Sequence, residues 1–392
     1  MKSRVTCAVC GSSEWMRLPD PSSLQSVTTA GSILREPLGK SQCIICGLVQ
    51  RTDARYLGLS DFYEQRYTAY YDRPGTEIFN SSRYAEIAQW VLASIGEHAP
   101  KSILEVGCGR GWTLRAIRNL SPDAELAGLE PSVVNSEEAR KLGFEIHTRK
   151  LDRNDLPARK YDLVFSNHVL QHTTDPLAFL EAMRELVADK GLIVITVQDS
   201  TIPTNELLYS DQNFSFLPYH LTRLSEAARL KVLAWIKPPD TDSLRFSQLI
   251  VCCKKTDDFG LLHGTKVPDP EPQTLKELFL KRVDYLESWH RIEQHLVHST
   301  TPCRHIYNFG AGMYSYLLAC YCEQYWTRVE SCTVDNCTGE FFGKQVVPLH
   351  ALQPDNRDCV VLGTRPGLHS GLGSRLSALG WKTISWENFV IG

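Results

Sequence analysis

The stretch that limits the fold most is Lys101 to Arg118, KSILEVGCGRGWTLRAIR. Ser102 to Val106 is a short, mostly apolar run carrying Glu105 near its end, the length of a buried parallel strand. Gly107, Gly109 and Gly111 follow at alternate positions, and Thr113 to Arg118 reads as a helix. Strand, glycine loop and helix in that order make the first turn of a doubly wound nucleotide-binding fold. Glycine is needed there because a side chain would hold a ligand away from the backbone amides and the helix N-terminus.

Glycine also punctuates ordinary loops, so the acids around this one matter. Glu105 stands two residues before the first glycine, where dinucleotide enzymes usually carry an apolar residue. A carboxylate there can accept a hydrogen bond from a cationic amino-acid moiety and offset its charge. Glu125 to Leu129 reads as a second strand closing on Glu130, placed for ribose hydroxyls. The helix Val133 to Leu142 and a strand at Phe144 to His147 follow. Lys150 to Pro157 is a polar loop in which Asp152 can accept from an adenine amino group, and Tyr161 to Phe165 is the fourth strand, ending in Ser166-Asn167-His168.

The spacing E-x-G-x-G-x-G followed by an acidic strand end resembles the class I S-adenosylmethionine (SAM) methyltransferases. The stretch YDLVFSNHVLQHTTDPLAFLEAMRELVADKGLIVIT is similar to their second half. It has a strand, a short segment ending in histidine (Val169 to His172), a long helix (Ala178 to Val187) and a glycine before the next strand (Leu192 to Thr196). The resemblance covers residues 84–254. It implies SAM as cofactor, with Glu105, Gly107, Gly109, Gly111, Glu130, Asp152 and Asn167 as the residues that hold it.

Upstream, Cys7-Ala-Val-Cys10-Gly11 is answered by Cys43-Ile-Ile-Cys46-Gly47. Two such knuckles can wrap four thiolates around one zinc ion, leaving no coordination position for substrate, so the expected metal is structural. Between the knuckles only Arg17, Arg35 and Lys40 are cationic, and no aromatic residues interleave with them. With a net charge of -3 and no basic runs, a nucleic-acid partner is disfavoured, and the ribbon is expected to cap the catalytic domain.

At 392 residues the chain is too long for one ordinary domain. It is expected to divide into a zinc ribbon (1–56), a methyltransferase domain (57–254), a linker rich in Asp, Pro and Gly (255–273) and a helix plus a smaller Rossmann-like domain (274–392). With 43% hydrophobic and 22% charged residues the composition is that of a soluble globular protein. The N-terminus lacks the apolar core of a signal peptide, no stretch reaches transmembrane length, and four of the thirteen cysteines form paired knuckles, so no membrane partner and the cytosol are expected.

Leu57 to Asn80 carries Phe62, Tyr63, Tyr67, Tyr70, Tyr71 and Phe79, which either pack as core or line a mixed cleft. Ser81 to Ser94 has helical spacing. Gln198 to Ser225, with Tyr209, Asp211, Gln212, Asn213 and His220, lies where acceptors are usually bound. Leu230 to Ile236 and Phe246 to Cys252 read as a closing antiparallel pair. Thr274 to His298 is a long amphipathic helix whose His290, His295 and His298 read as solvated surface. His305 to Phe309 begins a second strand–glycine–helix unit with Gly310, Gly312 and a later Asp335, but its third glycine is missing, so no SAM of its own is expected there.

The order of ribbon, methyltransferase and FGAG-containing Rossmann-like unit resembles the sugar C-methyltransferases of deoxysugar biosynthesis. That resemblance implies a nucleotide-linked keto sugar bound between the domains and methylated beside its carbonyl. The family's acceptor loop carries Y-H-E-H; the corresponding stretch here is Tyr209-Ser210-Asp211-Gln212, which keeps the tyrosine and an acid but neither histidine. Gln212 cannot take a proton from carbon. An oxygen or nitrogen acceptor needs less help, because the sulfonium is already electrophilic and alignment supplies much of the rate. The candidate base is His172, at the turn after Asn167, with Asp211 as its rival and Tyr209 able to orient substrate. The expected function is SAM-dependent methyl transfer to a small-molecule biosynthetic intermediate. The alternatives are an RNA methyltransferase gripping RNA through its ribbon and a non-catalytic SAM-binding scaffold.

Overall fold

The computed structural model describes residues 5–54, 56, 58, 61–67, 77–241, 244, 246–254 and 267–390. Tyr70, Tyr71 and residues 255–266 of the expected linker lie outside the described residues. The chain forms two compact units. One comprises residues 1–16, 41–201 and 211–278; the other comprises 17–40, 202–210 and 279–392.

The first unit is built on a seven-stranded sheet. Its strands are β1 (Ser102–Val106), β2 (Glu125–Leu129), β3 (Glu145–His147), β4 (Tyr161–Asn167), β5 (Val187–Gln198), β6 (Lys231–Ile236) and β7 (Ser247–Cys253). They lie in the order β6-β7-β5-β4-β1-β2-β3. β7 runs antiparallel to both its neighbours, and the pairs from β5 to β3 are parallel. The chain therefore leaves β1 towards β3 on one side and returns through β4 on the other, which opens a crevice at the strand ends beside β1.

Alternation along the strands sorts side chains between two faces. Ile103, Leu163, Phe165, Leu192 and Val194 pack with Ile87 and Val91 of α1 (Glu77–Ser94), Leu114 and Ile117 of α2 (Trp112–Leu120) and Ala139 of α3 (Val133–Lys141). Leu104, Val164, Ile193 and Ile195 face Phe179, Leu180 and Met183 of α4 (Pro176–Leu186) and Leu221 and Leu224 of α5 (Pro218–Ala227). α4 starts where Asp175 accepts from the Ala178 amide at 2.9 Å and Pro176 takes the first helical position.

The expected elements form, with two differences. β5 begins at Val187 rather than Leu192, with a register shift between the two. The acceptor region is more regular than its polar composition suggests: Phe214–Ser215 pairs antiparallel with Val49–Arg51 behind the cysteine knuckles, and α5 follows.

The second unit holds a six-stranded sheet of β8 (Ile306–Phe309), β9 (Ser331–Val334), β10 (Gly339–Phe341), β11 (Lys344–Pro348), β12 (Cys359–Leu362) and β13 (Thr383–Ile384), in the order β10-β11-β9-β8-β12-β13. Only β10 is antiparallel to its neighbour. The turn after β8 is filled by the protein's own groups. The Asn308 side-chain amide donates to the Gly310 carbonyl at 2.8 Å and to Ser315 Oγ at 2.9 Å, and Ser315 Oγ donates to the Gly363 carbonyl at 2.8 Å. Asp335 is held by both terminal nitrogens of Arg375, at 2.9 and 3.4 Å. Residues from earlier in the chain join this unit: Lys40 Nζ donates to the Glu206 carbonyl, and the Ser210 amide to that of Val27. Among the described residues no helix is long and apolar enough to cross a membrane.

Gly310 has φ +122°, and a Cβ there would stand 2.7 Å from the Gly363 carbonyl oxygen. Because that neighbour is backbone, Gly310→Ala is expected to destabilise the protein by about 1–3 kcal/mol, read from its urea unfolding midpoint.

Candidate active site

A cleft of about 540 Å³ in the first unit is lined by Gly107, Glu130, Asp152, Tyr63, His172 and Phe179, among others. Its size is that of a small-molecule site. Gly107, at φ +78°, donates its amide to the Leu129 carbonyl at 2.7 Å; a Cβ there would stand 2.4 Å from Val169 Cγ2. Over Gly109 the space is open, with no atom within 4 Å of a Cβ position. Gly111 is the N-cap of α2. Of the three glycines expected to hold the cofactor, Gly107 lines the cleft, whereas Gly109 and Gly111 are not on its wall.

Glu130 lines the cleft and braces this loop. One carboxylate oxygen accepts from the Gly109 amide at 3.0 Å and the other from the Ser132 amide at 3.0 Å. Asp152 also lines the cleft, where it accepts from the main-chain and side-chain nitrogens of Asn154 at 2.9 and 3.2 Å.

Glu105 is not on the cleft wall. It lies under the loop at the end of β1, 2% exposed, and its Oε2 is buried without a hydrogen-bond partner. Burial pushes its carboxyl up to about 8, with Thr113 opposing the shift by hydrogen bonding and Glu130 adding to it. Asn167, expected among the cofactor residues, does not line the cleft, and its Oδ1 accepts from Thr196 Oγ1 at 2.6 Å.

His172 and Asp211, read from the sequence as rivals, are brought together. The Asp211 main-chain carbonyl can only accept, so His172 Nδ1 carries the proton of their 2.7 Å bond; Asp211 Oδ2 lies 3.7 Å from the same nitrogen. This assigns the tautomer that leaves Nε2 as the basic nitrogen on a ring lining the cleft. Asn213 fastens the pair, donating through its side chain to the His172 and Thr173 carbonyls at 3.0 Å each. Tyr209, two residues before Asp211, belongs to the second unit; it is buried and its hydroxyl donates to the Met313 carbonyl at 3.2 Å.

His220, expected in the acceptor region, bonds behind the cysteine knuckles instead. Its Nδ1 accepts from the Leu217 amide at 2.9 Å, so Nε2 donates to the Cys46 carbonyl at 2.8 Å, and the Tyr219 hydroxyl donates to that carbonyl too. The sulfur atoms of Cys7, Cys10, Cys43 and Cys46 lie within 4.8 Å of one another. Two of the separations are 3.4 Å (Cys7–Cys46) and 3.5 Å (Cys10–Cys43), near the roughly 3.8 Å edge of a tetrahedron with metal–sulfur bonds of about 2.3 Å. The two knuckles match: the Gly11 amide donates to the Cys7 carbonyl and the Gly47 amide to that of Cys43. No other cluster of three or more potential ligands occurs among the described residues; His295 instead bonds the Ser385 carbonyl and Ser299.

Residues 79–236 match a family described as a methyltransferase domain. This part of the chain is a class I SAM-dependent methyltransferase domain. The chain is similar to a malonyl-[acyl-carrier protein] O-methyltransferase of Hahella chejuensis, 32% identical over 30% of this chain and 44% of that protein. It is also similar to a trans-aconitate 2-methyltransferase of Methylobacterium radiotolerans, 28% identical over 38% of this chain and 55% of that protein. The chain therefore spans about half the length of these curated relatives. Among solved structures, the plantazolicin methyltransferase BpumL in complex with SAH is 15% identical, with a TM-score of 0.37 over 47% of this chain and 93% of that one.

The raised Glu105 carboxyl has a consequence for stability. Its folded value lies above its unfolded one, so the stabilisation by the neutral form is complete below pH 4.5 and is lost as pH rises through about 8. Glu105→Gln is therefore expected to gain on the parent between pH 5 and 8, by up to about 1.4 kcal/mol per pH unit. Urea unfolding at several pH values measures this; parallel curves would mean that Glu105 is ionised in the free protein.

Proposed function

We propose that this chain transfers the methyl group of SAM to a small-molecule biosynthetic intermediate and carries one structural zinc. What supports the reading most is the turn that brings Gly107 to the wall of the same cleft as Glu130, Asp152 and His172, next to the buried, incompletely paired Glu105. In this reading Gly107, Gly109 and Gly111 receive the cofactor against backbone, and Glu130 offers carboxylate oxygen to ribose hydroxyls. Asp152 accepts from the adenine amino group, and Glu105 offsets the amino-acid ammonium by ionising when that charge arrives. Asn167 acts at one remove, through the strand end it ties to Thr196. When bound, SAM supplies an electrophilic methyl group on a sulfonium.

His172 then serves as the base. Its Nε2 takes the proton that leaves a hydroxyl, amine or enolisable carbon of the acceptor as that atom gains the methyl group. Asp211 positions the ring and stabilises its charged form from 3.7 Å. The order of the three sequence segments favours a nucleotide sugar within the wider class of small acceptors. The relative named for trans-aconitate acts within that wider class, whereas the one named for malonyl-[acyl-carrier protein] takes a group borne by a protein.

Titration calorimetry with S-adenosylhomocysteine should show binding that both Gly109→Val and Glu130→Ala weaken; unchanged affinity in both would remove the reading. The acceptor can be found by incubating a metabolite extract with labelled SAM and locating the methylated product by mass spectrometry. With that acceptor, His172→Ala should lower turnover by about 10²–10⁴ while SAM affinity stays nearly constant, and Asp211→Asn should shift the pH–rate profile.

For the metal, elemental analysis should find about one zinc per chain, and Cys43→Ser should lose it with a fall in thermal stability. A metal-free protein of equal stability would refute the zinc assignment.

A further inference from the structure

Phe62–Arg66 forms a single π-helical turn, closed by the Tyr67 amide donating to the Phe62 carbonyl at 2.9 Å. Such turns are rare and frequently sit at functional sites. Here the turn places Tyr63 and Tyr67, four residues apart, side by side on the cleft, their ring centroids 5.2 Å apart and inclined at 56°. Both approach the ring of His172, at 6.0 and 6.5 Å. Phe62, 5% exposed, packs beneath both tyrosines. The turn is anchored twice more: the Tyr63 hydroxyl donates to the Asp211 carbonyl that His172 also uses, and Lys150 pairs with Glu64 at 2.6 Å. Two aromatic rings thus stand beside His172.

We infer that Tyr63 and Tyr67 form an aromatic wall that recognises the positive sulfonium of the methyl donor and so favours it over the neutral thioether product. The inference rests on the reading of this cleft as the SAM site. Aromatic faces attract a cation through their quadrupole without carrying charge of their own. A carboxylate against the sulfonium would be a competing nucleophile for the methyl group, whereas a ring face is not. The carboxylates on the cleft wall have other partners: Glu130 holds the loop amides, Asp152 holds Asn154, and Asp175 caps α4. Burial, followed by the charge of Asp211, raises the Tyr63 phenol well above its ordinary value, so this ring stays neutral. Once the methyl group has moved, the charge is gone and the wall loses its hold on the product.

The test compares dissociation constants for SAM and S-adenosylhomocysteine, by calorimetry on the full chain, in the parent and in Tyr63→Leu, Tyr67→Leu, Tyr63→Phe and Tyr67→Phe. Each leucine variant should lose roughly three- to thirtyfold in SAM affinity and stay within about twofold for S-adenosylhomocysteine; the phenylalanine variants should keep the parent ratio. Equal weakening of both ligands, no change in either, or phenylalanine variants that behave like the leucine ones would overturn the inference. The last result would assign the effect to the hydroxyls. If the parent binds neither ligand, the cofactor reading of the cleft falls, and the inference with it.

Discussion

One carboxylate ties the glycine-loop side of the cleft together. Glu130, at the end of the second strand, accepts the Gly109 amide with one oxygen and the Ser132 amide with the other. The first amide belongs to the glycine loop after β1 and the second to the N-cap of α3. Hydrogen bonds from backbone amides to an ionised group are among the stronger ones a protein makes. Here they tie the two loops together through backbone, at positions where Gly109 has no side chain to pack. Together with the Gly107 and Cys108 amides, which donate to the Leu129 carbonyl, this bridge restrains a loop to which glycine supplies conformational freedom.

The residues 211–220 perform a comparable task on the other side of the cleft. Asp211 orients His172, Asn213 straps the turn that carries it, Phe214–Ser215 adds a strand beside Val49–Arg51, and Tyr219 and His220 converge on the Cys46 carbonyl. Ten residues therefore connect the cysteine cluster to the proposed base through backbone bonds. A fourfold thiolate site held in this way would stiffen the loop from which the base is positioned, which gives a structural metal a route to influence chemistry it does not touch.

The two strand–glycine–helix turns in this chain show how little the motif says without its surroundings. After β1 the space over Gly109 is open, and the following acid faces a cleft. After β8 the Asn308 and Ser315 side chains bond to each other and to the Gly310 and Gly363 carbonyls, and the following acid, Asp335, is paired with Arg375. Glycine lets protein atoms approach the backbone in the second turn, and in the first it admits Val169 at Gly107 while the space over Gly109 stays open.

What the sequence determined alone was the local chemistry: the strand–glycine–helix turn with its acids at Glu105, Glu130 and Asp152, the paired knuckles, and the periodicities of the two α/β sheets. These are readable because they depend on residues close in the chain, where spacing and backbone preference decide the outcome. The tertiary structure decided which distant groups meet. It made His172 and Asp211 one arrangement, sent Tyr209 to the second unit and His220 to the cysteine cluster, and tied Asn167 to Thr196. It also drew residues 17–40 and 202–210 away from their chain neighbours into the second unit. Such pairings follow from burial and from where buried polar atoms find partners. Nothing in a run of consecutive residues records which distant carbonyl will accept a given proton.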